Sequence, residues 1–333
     1  MTTLQVPVAV PYARILSVGA YRPERVVTNA EICERIDSSD EWIRERSGIR
    51  ERRFAAADET VVDMAANAAQ VAIERAGVDP LDIGMVLVAT ISHPFQTPAA
   101  APEIATRIGA THAGAADLGA ACAGFCYGVS MANDMVRAGS SRYVLVIGVE
   151  KLTDWIDAAD RSTAFIFADG AGAVLIGPSD EPGIAPTVWG ADGSQKDAIT
   201  MSQDYCAFRE LGMEEFPVLR MQGQQVFRWA VGEMSKVCQQ ALDVAGVAPA
   251  DLGVFIPHQA NARIIDAMVK YLKLPEHVPV SHDIETSGNT SAASIPLAMD
   301  AMLASGEAKS GDTALLIGFG AGLAYAAQVV TLP

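Results

Sequence analysis

The sequence predicts an α/β fold built from two similar halves. An internal duplication points there first. Residues 72–84 (AIERAGVDPLDIG) and 241–253 (ALDVAGVAPADLG) share a helix-like run, an Ala-Gly-Val stop and a proline turn. Each leads into an apolar segment, MVLVAT (85–90) or VFIPHQ (254–259). A second matched pair, YVLVIGVE (143–150) and TALLIGFG (313–320), follows at nearly the same displacement. Two pairs at one displacement favour a duplicated unit, and a count of two is too few for a solenoid. The strand-like segments are short, rich in Val, Ile and Leu and apolar on both faces, as in sheets covered by helices.

The elements alternate accordingly. Residues 61–76 have helical spacing, and Gly77 suits the stop. Residues 122–137 carry few charges and read as a buried helix; 221–245 and 261–272 are two further helical candidates. FADGAGAVLIG (167–177) reads as a structural turn with Asp169 bracing glycine backbone. The expected halves are 1–180 and 181–333. The stretch 181–220, with Trp189, Tyr205 and Cys206 in polar surroundings, is less periodic and reads as an insertion or a flap over a site.

Composition narrows the function. The chain has 333 residues, half of them apolar, enough for one large core or two ordinary ones. Forty acidic against 24 basic residues give a formal charge of −16, the wrong sign for a nucleic-acid partner. Five cysteines, an odd number without regular spacing, argue against a disulfide scaffold. Cys122 and Cys126 lack neighbours that would complete a metal site. The N-terminal residues lack a signal-peptide pattern and no window has the apolar length of a membrane span, so a cytoplasmic location is expected.

Four segments carry chemistry. In ADLGAACAGFCYGVSMANDMV (116–136), small residues flank Cys122 and allow a tight turn before a helix. A helix N-terminus would lower the thiol pKa and favour the thiolate; the alternative is a buried structural cysteine. In VFIPHQANARIIDAM (254–268), His258 follows an apolar strand, where catalytic groups of α/β proteins sit, although a hydrogen-bonded loop histidine fits equally. In ETSGNTSAASIPLAMDAML (285–303), Asn289 follows Gly288 and offers an amide donor, or a helix cap. In LLIGFGAGLAYAAQVV (315–330), Gly318, Gly320 and Gly322 bracket a turn between two strands. No dinucleotide pattern is present there; a backbone N–H for an oxyanion hole is the better use.

With those blocks in this order, the chain resembles the beta-ketoacyl-acyl carrier protein synthase III family of thiolase-like condensing enzymes, from about Ala13 to Val330. ACAGF (121–125), HQANARI (258–264) and GNTSAAS (288–294) look like its nucleophile, histidine and asparagine motifs. The resemblance implies a thiolase-like, duplicated αβαβα fold and a cytoplasmic homodimer. It implies acyl transfer from acyl-coenzyme A to Cys122, then decarboxylative condensation with malonyl-acyl carrier protein aided by His258 and Asn289. The N–H groups of Cys122 and Ala321 would form the oxyanion hole. No metal or other cofactor is implied. SSDEWIRERSGIRERR (38–53), otherwise a solvated charged helix, looks like the family's coenzyme block, with Trp42 and Arg46 at the adenine and phosphate end. Arg161 resembles another coenzyme contact. MQGQQVFRWAV (221–231) matches a family block that places Gly223 and Phe227 along the pantetheine channel. Arg228 and Arg263 resemble residues that meet the acidic carrier protein.

Thr97, in HPFQTPAAAP (93–102), falls where some family members carry a bulky Phe that limits the acyl pocket, which a dimer partner could complete. A threonine there implies room for branched or longer primers. Two rivals keep the scaffold: an acyltransferase or polyketide-priming ketosynthase of secondary metabolism, and a catalytically idle subunit. Asn289 favours carbon–carbon condensation, because transfer alone needs no stabilised carbanion.

Overall fold

The computed structural model describes residues 4, 6–210 and 216–333. The strands in chain order are β1 Tyr12–Tyr21, β2 Arg25–Thr28, β3 Glu51–Phe54, β4 Ile83–Ala89, β5 Gly114–Leu118, β6 Tyr143–Lys151, β7 Asp169–Ser179, β8 Val188–Ala191, β9 Ile199–Met201, β10 Leu219–Met221, β11 Val254–Pro257, β12 Thr313–Gly320 and β13 Ala324–Thr331. Two sheets dominate. One runs β1-β7-β6-β4-β5; the other runs β11-β12-β13-β8, with a parallel bridge from Phe255 to Val280 where a further strand would sit. The second order repeats the first in reverse direction of listing: β8, β13, β12 and β11 take the places of β1, β7, β6 and β4.

Five layers result. Helices Gly124–Arg137 and Ser294–Ser305 lie between the sheets, where Phe125, Val129, Ile295 and Met299 share one core with Val146 and Leu316. Helix Val61–Ala76 and helix Ala100–Arg107 cover the outer face of the first sheet. Helices Ser235–Ala245 and Ala262–Leu272 cover the second. This is the αβαβα architecture expected from the resemblance. Sheets buried on both faces need strands apolar on both faces, which the repeated segments supplied.

Local signals account for the boundaries. Thr60 and Asp63 form a capping box at the start of Val61–Ala76, and Gly77 ends it in the left-handed region (φ 64). The long 221–245 candidate is one helical run, Gly223–Trp229 continuing through a π turn at Ala230–Met234 into Ser235–Ala245.

Two expectations need correcting. Residues 169–179 form a full central strand, not a turn, and Asp169 accepts from Ala55 N (2.8 Å), Thr153 N (3.0 Å) and Thr153 Oγ1 (2.6 Å) rather than bracing glycines. The small residues suggested a turn; here they let helix Ser294–Ser305 approach the strand, with a Cβ on Gly172 meeting Pro296 at 2.7 Å. The 38–53 block is a helix only over Asp40–Ser47, ended by Gly48 (φ 84), and then forms β3. Within 181–220, β8 joins the second sheet and β9 pairs with β10, while 211–215 lie outside the described residues. Among the described residues no helix is long and apolar enough to cross a membrane.

Candidate active site

The duplication places two matching turns against each other. Ala121 (φ 45) and Ser291 (φ 48), 170 positions apart, hold the same left-handed conformation at the mouths of the two central helices. Cys122 follows the first and Ala292 the second. Each turn seats on a glycine of the other half. A Cβ on Gly318 of β12 would meet Cys122 O at 2.8 Å, and one on Gly148 of β6 would collide with Ala292 O. Gly320 closes the arrangement, because a Cβ there would lie 2.8 Å from Cys122 Sγ. Backbone thus approaches the nucleophile where side chains could not.

Cys122, His258, Asn289 and Ala321 line one cavity of about 720 Å³. His258 follows directly on β11, its N–H donating to Ile317 O (2.7 Å) and its ring set edge-on to Phe319 with centroids 5.2 Å apart. Its Nδ1 lies 2.7 Å from Ser294 Oγ, which also accepts from Gln259 N (3.3 Å). A serine hydroxyl that donates to Nδ1 leaves Nε2 to carry the imidazole proton. Burial pushes the His258 pKa down to about 3, so the ring is neutral at pH 7.

Asn289 is fixed by backbone bonds, its N–H to Ile166 O (2.9 Å) and its carbonyl from Ala168 N (3.0 Å). Its Oδ1 accepts from Ser291 N (2.8 Å), which leaves the Nδ2 hydrogens for the cavity. Gly288 (φ 67) permits this, since a Cβ would meet Ala168 and Arg52 side chains at 2.9 Å. Arg52 is fully buried and donates to Phe165 O (2.9 Å), next to the Ile166 carbonyl that holds Asn289. Its role was hidden in a run of charged residues.

Cys122 departs from expectation. The helix terminus was expected to favour the thiolate, but burial pushes the thiol up to about 12. A rise from an ordinary thiol to about 12 corresponds to about 4 kcal/mol against ionisation, while a helix terminus returns at most about 2 kcal/mol. Desolvation wins, and the resting nucleophile is a thiol.

The cavity runs outward between Trp42, Arg46, Arg161, Gly223 and Phe227. Arg161 stacks 4.4 Å over the Trp42 ring, Arg46 lies 6.0 Å from it, and Phe165 packs on it edge-on at 5.2 Å. Arg263 sits 5.2 Å over Phe227, and Arg228 lines the same mouth. Among the described residues, none of these four arginines makes an ion pair, so an acidic protein presents a cationic entrance.

Thr97 is not part of the cavity. It is exposed on the loop after β4, and Ile91, at the start of that loop, lines the cavity instead. Sequence reasoning missed Ser291 and Ser294, read only as small residues, and Glu150, read only as the end of a strand. Among the described residues no group of three His, Cys, Asp or Glu side chains could hold a metal ion.

Residues 116–193 match the family described as 3-Oxoacyl-[acyl-carrier-protein (ACP)] synthase III, and residues 242–332 match its C-terminal part. The beta-ketoacyl-[acyl-carrier-protein] synthase III of Streptomyces glaucescens is 61% identical over 323 residues, covering 97% of each chain. The Mycobacterium avium mycobacterial beta-ketoacyl-[acyl-carrier-protein] synthase III is 54% identical, over 96% of this chain and 95% of its own. Among solved structures, the priming beta-ketosynthase of the R1128 polyketide biosynthetic pathway superposes with a TM-score of 0.97 at 50% identity, covering 100% of this chain and 99% of its own. The 3-oxoacyl-[acyl-carrier-protein] synthase III of Aquifex aeolicus gives 0.88 at 37% identity, over 96% of this chain and 99% of its own.

Proposed function

The chain belongs to the 3-oxoacyl-[acyl-carrier-protein] synthase III family of condensing enzymes, and from that premise we propose how its own residues divide the work. The enzyme transfers an acyl primer from coenzyme A to a cysteine and condenses it with malonyl-acyl carrier protein, giving 3-oxoacyl-acyl carrier protein, carbon dioxide and free coenzyme A. The observation that carries the assignment of roles is the meeting of Cys122, His258 and Asn289 on one cavity with a cationic, aromatic mouth.

Acyl-coenzyme A enters with its adenine end at Trp42, displacing Arg161 from the ring face on which it now stacks, and with its phosphates near Arg46; Gly223 and Phe227 flank the pantetheine. Stacking on indole and charge pairing with guanidinium suit those two ends. Cys122 attacks the thioester carbonyl, and the N–H groups of Cys122 and Ala321 hold the oxyanion. After coenzyme A leaves, the malonyl thioester arrives on carrier protein that docks against Arg228 and Arg263. His258 Nε2–H and Asn289 Nδ2–H donate to its carbonyl oxygen. Loss of carbon dioxide places negative charge on that oxygen, so both donors act most strongly in the transition state. The carbanion then attacks the acyl-cysteine. No metal or prosthetic group enters this scheme.

The enzyme is proposed to work as a cytoplasmic homodimer. β5 is paired on one side only, and Ile91 and Phe95 are exposed apolar residues on the neighbouring loop. A partner on this face would also decide whether Thr97 reaches an acyl pocket. The assay that tests the whole reading supplies malonyl-acyl carrier protein with a panel of acyl-coenzyme A primers and identifies products by mass. A 3-oxoacyl product carries it; acylated Cys122 with no carbon–carbon product sinks it in favour of acyl transfer to another acceptor. The 0.97 superposition on a priming ketosynthase favours a second reading, polyketide priming, which the preferred carrier protein separates from fatty acid initiation.

A further inference from the structure

Glu150 has no part in the chemistry above, yet it is fully buried at the end of β6, beside the cavity floor. Its two oxygens are treated differently. Oε2 accepts from Thr90 Oγ1 (3.2 Å), Ile91 N (3.1 Å) and Ser92 Oγ (2.6 Å), which ties the start of the loop after β4. Oε1 is buried without a hydrogen-bond partner. The Ser291 hydroxyl, 1% exposed, also closes no full-geometry hydrogen bond, although it neighbours both the Cys122 thiol and the Glu150 carboxyl. Two unpartnered polar atoms thus stand in sequence behind a thiol that must lose its proton. An unsatisfied buried carboxylate oxygen calls for a role, because such groups are costly to leave unpaired.

We propose that Ser291 and Glu150 form a proton path behind the nucleophile: Ser291 accepts the Cys122 proton while passing its own to Glu150. This deepens the reading above and rests on Cys122 being the acyl carrier. As the sulfur–carbon bond forms, the thiol proton moves to Ser291 Oγ and the serine proton to Glu150 Oε1. As the bond to coenzyme A breaks, the same path runs backward and delivers the proton to the departing sulfur. The acyl-enzyme is left with Glu150 ionised, and no proton is gained or lost overall. Glu150 acts through Ser291 and is a positioning residue for the proton.

The surroundings of Glu150 suit the task. Burial pushes its carboxyl up to about 7, in range to exchange a proton at neutral pH. Cys122 is the titratable group that faces it across Ser291. Lys151, next in β6, is engaged elsewhere: its Nζ bonds Ala56 O and Ala57 O and lies 3.5 Å from Asp154. Asp169, opposite Lys151 on β7, is bound to Thr153 and Ala55, and His258 is held by Ser294.

The test is single-turnover acylation of the full-length enzyme by acetyl- and butyryl-coenzyme A from pH 5.5 to 9, read as coenzyme A release and as mass gain on Cys122. Glu150→Gln keeps the volume and an oxygen for the Thr90, Ile91 and Ser92 donors. Ser291→Ala is conformationally safe, because Ala121 already occupies the matching position at φ 45. Wild-type acylation is expected to rise through pH 7, whereas both variants should acylate roughly 10-fold or more slowly and lose that inflection. Once acylated by long incubation, both should condense with malonyl-acyl carrier protein within about threefold of wild type. An unchanged rate and pH profile overturns the path. So does a uniform loss with the inflection retained, which would make Glu150 a loop anchor only. If Glu150→Gln does not fold, Ser291→Ala decides alone. Wild type that never acylates on Cys122 refutes the underlying reading instead.

Discussion

Ser294 Oγ stands 2.7 Å from His258 Nδ1, on a helix that belongs to the asparagine block rather than to the histidine's own strand. With the serine hydroxyl donating to Nδ1, the imidazole presents Nε2–H to the cavity. Removing that hydroxyl should leave the ring in place, packed on Phe319, with its tautomer unspecified. Ser294→Ala is expected to slow condensation roughly 10- to 100-fold with little change in Cys122 acylation. Parallel rates for the two half-reactions check this; equal losses in both would contradict the assigned role.

Cys122→Ala should abolish acyl transfer, seen as no mass adduct after incubation with acyl-coenzyme A. His258→Ala and Asn289→Ala should each acylate near normally and lose roughly 100- to 1,000-fold in decarboxylation of the malonyl thioester, the scale of a missing oxyanion donor. A variant that decarboxylates normally but cannot be acylated would reverse the division of labour.

At the coenzyme end, Arg161→Ala and Trp42→Ala should raise KM for acyl-coenzyme A about 10-fold while kcat on pre-acylated enzyme stays put. Stacking and charge contacts far from the reacting atoms bind ground and transition states alike. Steady-state kinetics at two salt concentrations tests the point, since the arginine contribution should shrink at high salt.

Acid should destabilise the fold through His258. Its folded pKa is depressed to about 3, below the ordinary 6.5, so the unfolded chain binds a proton that the folded chain refuses between those values. The stability it contributes is complete above pH 6.5 and is lost as pH falls toward 3, by roughly 2–3 kcal/mol at pH 4.5. Glu150 works in the opposite sense. Its raised value keeps a proton in the fold, so its contribution is full below about 4.5 and fades as pH rises through about 7. Urea midpoints of wild type and His258→Asn should therefore converge as the pH drops from 7 to 4.5, and a constant gap would count against a neutral buried ring.

Two glycines separate fold from chemistry. Gly148→Ala drives a methyl group into Ala292 O and should cost roughly 3 kcal/mol of stability, measured as a denaturant midpoint. Gly320→Ala places its methyl 2.8 Å from Cys122 Sγ and should be felt chiefly as slow acylation.

The layered fold was legible because strands such as 143–150 and 313–320 are apolar on both faces and recur at one displacement. Small residues and strand ends made Cys122, His258 and Asn289 candidates, and the resemblance of ACAGF, HQANARI and GNTSAAS to the family motifs gave them their roles. Other features depend on distance in space. Ser294 looks like any small residue until a partner 36 positions away in sequence is folded against it. The thiol's pKa followed burial, which a helix-terminus argument omits. Thr97 lies outside this chain's own cavity, and residue spacing alone does not say which way a loop turns.

The reciprocal seating of Cys122 on Gly318 and Ala292 on Gly148 bears on ancestry. A half-length chain paired with its own copy would close both contacts at once, with identical residues at the two positions. Fusion of two such copies frees one position from carrying sulfur while its backbone stays bound by the other half. The present chain has that asymmetry: one turn holds the reacting sulfur, and its twin at Ala292 keeps the same backbone seat without it.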